Sequence, residues 1–451
     1  MSCAAARSRS TESRPVTAPQ YLARCGWNAL LPVRPAKIDP PSQRHHDTIV
    51  VGAGYVGLAA ARRLAELRPD HAILLLDADE IGEGSSGRNA GFAVSVPFNA
   101  GLSDAPLSPA ERLQLDLYER GLNDLEALVR RHRIACDWNP SPKLHAAATA
   151  DGERRLKATL RSYAKWKIDV EECDRSQIRQ ITGSDHYRYG FRTGRNVFIQ
   201  PAALVRGLAD SLPPNVHLCE NTPVFDVQAQ DKPVVATSTG RFSADRLILA
   251  NNAFVKRLGY LRDRLVTIYT YAALTPELSP SQRRLAGQDG QHGASDLEWG
   301  ILPANRLGTT VRLVAGKRLL FRSAYSYEKE LPAARVEQLL LASYRRRFPE
   351  MPRHEFEFVW GGTTALTSNG EASFGAVAPG IYCFAGCNGS GIVKGSVYGR
   401  MLAELSLGLE SRELAGALDR PEPGHLPPEP FRAIGARAAI AYQAWKAGAE
   451  R

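Results

Sequence analysis

The chain has 451 residues, 44% hydrophobic and 23% charged, which is typical of a globular enzyme of one or two domains. Its apolar runs are interrupted well before the roughly 18 residues that a membrane-spanning helix needs, so we predict no transmembrane segment. The formal net charge is +10, but Lys and Arg are spread along the whole chain. We therefore predict no nucleic-acid partner and a modest preference for anionic small substrates.

The seven cysteines are scattered, with no C-x-x-C pair and no Cys/His set at zinc-ligand spacing. We expect free thiols, a cytoplasmic location and no metal site. The first eighteen residues are rich in Ser, Arg and Ala, which fits a transit peptide or, more simply, a disordered start. Residues 31–41 carry four prolines, so we expect an extended arm that packs on the body before the first strand, within an N-terminal segment of residues 1–45.

A strand followed by a glycine-rich turn begins near residue 47. The β-branched run at residues 47–51 is typical of a buried parallel strand, and a G-x-G-x-x-G pattern follows it. The first glycine permits a tight turn, the second lets the backbone approach a pyrophosphate, and the third lets the next helix, about residues 56–67, pack closely. That helix directs free N–H groups and its positive dipole end at the phosphates. The predicted cofactor contacts are Gly52, Gly54, Tyr55, Val56 and Gly57.

An acidic residue and a second small-residue loop extend this unit. A strand at residues 72–76 ends in Asp77, twenty residues after Gly57, where a carboxylate can accept both ribose hydroxyls. NAD and FAD both satisfy the pattern up to this point. The loop at residues 83–91 can wrap a second stretch of pyrophosphate beside a flat ring. Its predicted cofactor contacts are Ser85, Ser86, Arg88, Asn89, Ala90 and Gly91.

At these residues the sequence resembles the D-amino-acid oxidase-like (DAO) family of FAD-dependent oxidoreductases, and within it the bacterial branch that includes gamma-glutamylputrescine oxidase. The resemblance runs from about residue 47 to 409. Three later blocks carry it as well: residues 200–209, residues 245–253, and residues 360–362 through 386–392. It implies further FAD contacts at Val224, Ala250, Asn251, Gly386, Asn388, Gly389, Ser390, Gly391 and Ile392.

The last block can also be interpreted without the resemblance. Residues 381–385 form a predicted strand, glycines follow it, and a helix is expected from about residue 391 to 405. The N-terminus of that helix would place its positive end beside the N1 and O2 edge of a flavin, where charge accumulates on reduction.

The fold class that follows is α/β, with a Rossmann-type FAD-binding domain and an interleaved antiparallel-sheet (α+β) substrate domain. We predict these segments: 1–45, N-terminal arm; 46–135, 196–251 and 356–410, FAD-binding domain; 136–195 and 252–355, substrate domain; 411–451, C-terminal extension.

Three positions depart from the family pattern. Some relatives tether the flavin through a cysteine shortly before a Thr-x-Asp stretch, but this chain has Gly361 and Gly362 there, so we predict noncovalent FAD. The Asp of that stretch is Asn369, an amide that can still donate and accept hydrogen bonds. Lys394 replaces an aliphatic residue on the flavin-facing helix. It is a candidate for binding a substrate carboxylate, and the alternative is a surface lysine.

The candidate substrate residues lie on predicted strands. Residues 266–272 alternate with period two, which places two tyrosines on one face, and residues 311–314 and 318–321 suggest a hairpin. Arg and Tyr on such a sheet suit an amine that also carries a carboxylate, although ordinary sheet packing is the competing interpretation for each residue. The candidates are Tyr269, Tyr271, Trp299 and Arg312.

The predicted reaction is oxidation of a C–N bond in a small amine or amino acid. Hydride passes to flavin N5, the imine is hydrolysed in water, and the electrons go to O2 or to a quinone-type acceptor. A flavin monooxygenase or hydroxylase is one alternative, and a noncatalytic flavin-binding subunit is another. The sequence predicts no particular oligomeric state.

Overall fold

The computed structural model describes residues 21–96, 107–288, 298–351 and 355–451. The strands are β1 (His45–Val51), β2 (Ile73–Leu76), β3 (Phe92–Val94), β4 (Lys143–Ala147), β5 (Val170–Asp174), β6 (Tyr189–Thr193), β7 (Asn196–Phe198), β8 (Val216–Cys219), β9 (Val224–Gln228), β10 (Val234–Thr237), β11 (Gly240–Leu249), β12 (Val266–Leu274), β13 (Trp299–Pro303), β14 (Thr310–Val314), β15 (Arg318–Tyr327), β16 (Phe358–Leu366), β17 (Ser373–Ala378) and β18 (Ile381–Ala385).

The helices alternate with these strands through most of the chain. They are α1 (Gly26–Ala29), α2 (Tyr55–Leu67), α3 (Ser85–Arg88), α4 (Pro109–His132), α5 (Ala150–Lys165), α6 (Arg175–Thr182), α7 (Pro201–Asp210), α8 (Pro280–Leu285), α9 (Ala333–Arg347), α10 (Ile392–Ser406), α11 (Arg412–Leu418) and α12 (Phe431–Ala447), with short 3-10 helices at Asn252–Leu258 and Gly448–Glu450.

The first sheet has the order β17-β18-β11-β1-β2-β8, with the β9–β10 hairpin attached to β11. The strands from β18 to β8 run parallel, and their apolar residues are buried on both faces. The chain leaves β1 toward β2 on one side and returns to its other side with β11. This reversal creates a crevice at the C-terminal ends of the central strands, which is where such sheets bind dinucleotides.

The second sheet has the order β16-β12-β15-β14-β13-β4-β6-β5. All its neighbours pair antiparallel except β13 and β4, which are parallel. Helix α9 covers one face of this sheet through an aromatic and aliphatic core. The predicted hairpin is present, because Val314 pairs with Arg318 across a three-residue turn. The predicted α/β fold class, with a Rossmann-type sheet and an interleaved second sheet, is confirmed.

Strand β16 lies in the second sheet, whereas the predicted domain boundaries place it in the FAD-binding domain. Strand β16 pairs with β12 along its whole length and so belongs to the second sheet, although residues 356–410 were assigned to the FAD-binding domain. We therefore propose the same division with β16 moved to the substrate domain. The expected disordered start at residues 1–18 lies outside the described residues.

The two ends of the described chain are fixed to the body. The proline-rich arm hydrogen-bonds to the first sheet, where the backbone N–H of Glu220 donates to the carbonyl of Lys37 at 2.6 Å. At the other end Glu450 is 2% exposed and accepts bonds from the backbone of Ala148 and Thr149, at the start of α5. No helix among the described residues is long and apolar enough to cross a membrane.

Candidate cofactor and substrate site

A cavity of about 500 Å³ lies at the C-terminal ends of β1, β2 and β11 and continues beneath the second sheet. Every predicted cofactor contact lines it except Gly57, Gly91 and Gly386. The predicted contacts share one edge of the first sheet, because a turn between a parallel strand and its helix lies at the C-terminal end of that strand.

The glycines of the first turn are required by its geometry. Gly52 has φ +100°, a left-handed conformation that favours glycine. A Cβ on Gly57 would lie 1.8 Å from the carbonyl oxygen of Gly52, so this residue lets α2 pack against the turn. Helix α2 begins after Gly54 without a side-chain cap from that residue, and its first residues line the cavity.

Asp77 stands at the end of β2 and holds this turn. Its Oδ2 accepts a bond of 2.6 Å from the backbone N–H of Ala53, and its Oδ1 accepts one from Asp79. Burial raises the pKa of Asp77 to about 6, against the lowering effect of these two bonds. A buried carboxylate at this place would gain further stabilisation from hydroxyl donors such as those of a ribose.

Helix α3 and its flanking loop form the second wall of the cavity. The Ser86 hydroxyl accepts a bond of 3.2 Å from the backbone N–H of Tyr55 and so joins this loop to the first turn. The Arg88 guanidinium bonds to groups of the protein: it pairs with Glu83 at 2.7 Å and donates to the carbonyls of Ala23 and Gly361. Arg88 therefore fixes the shape of the loop.

The N-terminal arm covers this loop from outside, a contact that the sequence analysis did not predict. The Tyr21 hydroxyl bonds to Ser85 and to Thr363, and the Tyr21 ring lies 3.8 Å from the Arg88 guanidinium. The buried Trp27 donates from Nε1 to the carbonyl of Asn89 at 2.8 Å.

The last glycine-rich segment connects β18 to α10. Asn388 has φ +53°, and its side chain accepts from the backbone of Thr367 and donates to the carbonyls of Gly370 and Gly386. A Cβ on Gly391 would meet nothing within 4 Å, so the backbone there faces open space. The fifteen-residue helix α10 begins at the next residue without a side-chain cap and presents its positive end to the cavity.

The residues present fit an FAD molecule. The cavity wall carries two buried polar atoms, Asn251 Oδ1 and Thr270 Oγ1, that have no hydrogen-bond partner within the described ranges. Buried polar atoms are normally bonded, so both are suited to a polar ligand. The N-termini of α2 and α10 both line the cavity, and their positive ends suit a pyrophosphate and the electron-rich edge of a flavin.

The two candidate tyrosines of β12 lie on one face, as predicted, but that face is turned toward α9. Both belong to the core between the second sheet and α9. The Tyr271 hydroxyl bonds to Ser326 and accepts from the backbone N–H of Leu331, and Tyr271 also lines the cavity. Tyr269 does not line the cavity, and burial raises its pKa to about 12. The residues of β12 that face the cavity are Ile268, Thr270 and Ala272.

Trp299 and Arg312 have structural positions instead of the substrate contacts for which they were candidates. Trp299 is 7% exposed, does not line the cavity, and donates to the carbonyl of Ala286. Arg312 is 1% exposed and pairs with Glu298 at 2.7 Å. Its other donors bond to the carbonyls of three residues outside its sheet, namely Ala90, Gly91 and Ile199.

Lys394 lines the cavity on α10, so the surface-lysine interpretation is wrong. It is half-buried, and its Nζ lies 5.9 Å from the centre of the Phe384 ring. Burial lowers its pKa, while Cys387 and Glu371 act in the opposite direction. Asn369 does not line the cavity; it donates to the carbonyl of Glu422 and accepts from the backbone of Glu371.

A basic and aromatic group on the second sheet was missed by the sequence analysis. Arg322 donates to the Tyr325 hydroxyl at 3.0 Å, and that hydroxyl lies near the carbonyl of Arg306; all three residues line the cavity. Within the part of the chain that the structure describes, Arg322 has no carboxylate partner. Strand alternation is the signal that could have found it. Leu320 pairs with Arg312, and Arg322 lies two residues further along β15, so both arginines are on the same face of the sheet.

Comparisons with known proteins agree with this geometry. The family model described as "FAD dependent oxidoreductase" (DAO) matches residues 47–405. The chain is 27% identical to a probable oxidoreductase OrdL of Haemophilus influenzae, over 82% of this chain and 84% of that protein. It is 28% identical to the gamma-glutamylputrescine oxidoreductase of Escherichia coli, over 86% of this chain and 91% of that one. The fold is similar to that of glycine oxidase from Geobacillus kaustophilus, with TM-score 0.67 and 19% identity over 82% of this chain and 96% of the other.

Proposed function

Because the chain belongs to the DAO family of FAD-dependent oxidoreductases, we propose that it oxidises the C–N bond of a small amine or amino acid that carries a carboxylate. The observation that carries this proposal is the Arg322–Tyr325 pair in the cavity wall, a guanidinium without a carboxylate partner among the described residues. Arginine binds carboxylates through two parallel hydrogen bonds, so it suits the acid group of such a substrate.

The charges along the cavity support a substrate orientation in which the carboxylate lies near Arg322. The acidic residues at its adenosine end include Asp77 and Asp79, whereas the part beneath the second sheet carries Arg306, Arg322 and Lys394. We propose that Arg322 holds the carboxylate while Tyr325 orients the guanidinium. Lys394 is a second candidate for the anion: burial lowers its pKa, and a bound carboxylate would favour its charged form.

When bound, FAD supplies the hydride acceptor at N5, so that an amine becomes an imine for water to hydrolyse. The protein residues bind and orient the amine, and the second sheet excludes bulk water from the cavity. The positive end of α10 favours negative charge at the Gly391 end of the cavity. We propose O2 or a quinone-type compound as the electron acceptor and a cytoplasmic location. The location is supported by the described cysteines, which form no disulfide with one another.

The proposal is tested with a panel of amines and amino acids mixed anaerobically with the holoprotein. A carboxylate-bearing amine should bleach the flavin without NAD(P)H, and the rate should rise with pH toward the pKa of the amine because the neutral amine reacts. Peroxide and dye-reduction readouts separate an oxidase from a dehydrogenase. Reduction by NADPH, with none by any amine, would replace the proposal with the hydroxylase alternative.

A substitution in the wall tests the carboxylate site. Arg322→Met should raise the KM for a carboxylate-bearing substrate about 10- to 100-fold, the effect of losing a charged hydrogen bond of about 1.5–3 kcal/mol. An amine without a carboxylate should be affected much less. The matched control is Arg318→Met, on the same strand but outside the cavity. Equal losses with both kinds of amine would show that Arg322 does not bind the carboxylate.

We propose that FAD is bound noncovalently. Acid precipitation should release the flavin into the supernatant, because Gly361 and Gly362 stand where a tether would be. Cys387 is the cysteine that lines the cavity among the described residues, so Cys387→Ser serves as the control for an unexpected tether. Flavin that stays with the pellet of the wild-type protein would contradict noncovalent binding.

The position of the cofactor has its own test. A Cβ on Gly54 would lie 2.6 Å from the Ser86 hydroxyl, at the mouth of the phosphate cradle. Gly54→Leu should therefore yield colourless protein. The control is Gly194→Leu, at an exposed glycine where a Cβ meets nothing within 4 Å. A yellow Gly54→Leu protein would show that the cofactor lies elsewhere.

A further inference from the structure

Helix α12 carries an apolar face that no described residue covers. Four of its large hydrophobic side chains are more than half exposed: Phe431 at 66%, Ile434 at 61%, Tyr442 at 55% and Trp445 at 77%. At about 100° per residue, these side chains fall within roughly 80° of one another around the helix axis. They form one continuous strip along the outer side of the helix, which we call the α12 strip.

Hydrogen bonds hold α12 in place at both of its ends. Near its start Glu429 accepts a bond from the Tyr327 hydroxyl, and Arg432 donates to the carbonyl of Arg262 at 2.6 Å. After its end Arg347 donates to the carbonyls of Glu450 and Arg451 at 2.9 and 3.0 Å. The α12 strip is therefore presented by a fixed helix, since both ends are anchored to the second sheet and to α9.

The charge on α12 is of one sign. The helix contains Arg432, Arg437 and Lys446 and no acidic residue. On a helical wheel Lys446 lies on one edge of the α12 strip and Arg437 on the other. Arg346, at the end of α9, adds positive charge beside the last turn of α12 because it donates to the carbonyl of Arg451. An apolar strip with aromatic residues and basic edges is the pattern of a helix that lies in a membrane interface.

We propose that the α12 strip binds the surface of a bilayer that contains anionic phospholipid. Apolar side chains would enter the boundary between headgroups and acyl chains, and the basic edges would meet the lipid phosphates. This inference does not depend on which compound is oxidised. Ile440 lies on the opposite side of α12 and lines the cavity, so the cavity would lie within one helix diameter, about 10 Å, of the bilayer.

Charge also argues against the other occupants of this face. A second copy related by a twofold axis would place the same surface on both sides and bring the basic edges together. Residues 1–20 carry three arginines and one acidic residue, so this segment repels the strip in the same way. An anionic bilayer is the occupant that matches both the apolar strip and its edges.

The test uses the full-length holoprotein in a sedimentation assay with vesicles of phosphatidylcholine, alone or mixed with phosphatidylglycerol, at low and high salt. The wild type should bind the mixed vesicles and bind them less at high salt. The double variant Phe431→Ser/Trp445→Ser should lose at least about tenfold in partition coefficient, since it removes the two large aromatic side chains at the ends of the α12 strip. Arg437→Glu/Lys446→Glu should lose the preference for phosphatidylglycerol.

The matched control is Val33→Ser/Leu418→Ser, which removes two exposed apolar residues elsewhere and should bind as the wild type does. Unchanged FAD content and melting temperature would show that each variant is folded. The proposal is overturned if the wild type does not bind the mixed vesicles, or if the α12 double variant binds them equally well. It is also overturned if light scattering finds a dimer that this variant alone loses, because a second copy then covers the strip.

Discussion

At the scale of single residues, the buried Lys143 on β4 makes the free energy of unfolding depend on pH. Lys143 is 1% exposed, and its Nζ has no hydrogen-bond partner within the residues that the structure describes. Burial lowers its pKa from 10.5 to about 7. Between these two values the unfolded chain binds the proton and the folded chain does not, so the free energy of unfolding rises with pH across this window.

Lys143→Met should therefore stabilise the protein, by about 3–5 kcal/mol near pH 6, because one pKa unit corresponds to about 1.4 kcal/mol. The difference from the wild type should shrink steadily between pH 7 and 10.5, the two pKa values of the lysine. Urea unfolding at a series of pH values measures it. Lys329→Met, at an exposed lysine, is the control and should change little. A variant no more stable than the wild type at pH 6 would mean that Lys143 is not buried as a cation.

Single residues also mark the limit of the sequence analysis. Arg312 and Arg322 lie on neighbouring strands of one hairpin, and both are chemically suited to a carboxylate. The first is neutralised by Glu298, whereas the side-chain partner of the second, among the residues that the structure describes, is a tyrosine hydroxyl. Which arginine meets a carboxylate of the protein depends on tertiary contacts, and a single sequence does not contain that information.

At the scale of elements, the local signals were sufficient where a motif fixes its own geometry. The turn from β1 to α2 follows from its glycines, and the hairpin of β14 and β15 follows from its alternation. Alternation in β12 correctly placed Tyr269 and Tyr271 on one face. It could not tell that face from the other, because residues on both faces of β12 are buried.

The N-terminal arm is the element that the sequence described least well. Its prolines predicted an extended chain, but the contacts of Tyr21 and Trp27 with the cofactor loop depend on residues far along the sequence. The arm stabilises the loop around α3 from outside, while the cavity lies on the inner side of that loop. We therefore expect the arm to affect the retention of FAD.

Trp27→Phe keeps an aromatic ring but removes the Nε1 donor to the partly buried Asn89 carbonyl. The loss of such a hydrogen bond costs about 0.5–1.5 kcal/mol, so the melting temperature should fall and FAD should dissociate faster. Dilution and the rise in free-flavin fluorescence measure the dissociation rate. Trp445→Phe, at the exposed end of α12, is the matched control. If Trp27→Phe retains FAD as well as the wild type does, this contact of the arm does not contribute to cofactor binding.

At the scale of the whole molecule, the two sheets are joined by a buried ion pair as well as by apolar packing. Arg312 projects from β14 in the second sheet and bonds to the carbonyls of Gly91 and Ile199, which lie beside the cofactor loop and before α7. Glu298 neutralises it within the second sheet. The pair thus couples the position of the substrate sheet to the loop that lines the flavin cavity.

Arg312→Met removes the cation that pairs with the buried Glu298 carboxylate and leaves it with the neutral donors of Asn139 and Ala315, so the free energy of unfolding should fall by about 3–5 kcal/mol. Arg312→Met/Glu298→Met removes both charges and should recover part of this loss. A double-mutant cycle by urea unfolding measures the coupling, which should be at least about 1 kcal/mol for residues in direct contact. Additive single effects would show that Arg312 and Glu298 are not energetically coupled. Because Arg312 lies outside the cavity, KM should change equally for amines with and without a carboxylate, in contrast to Arg322→Met.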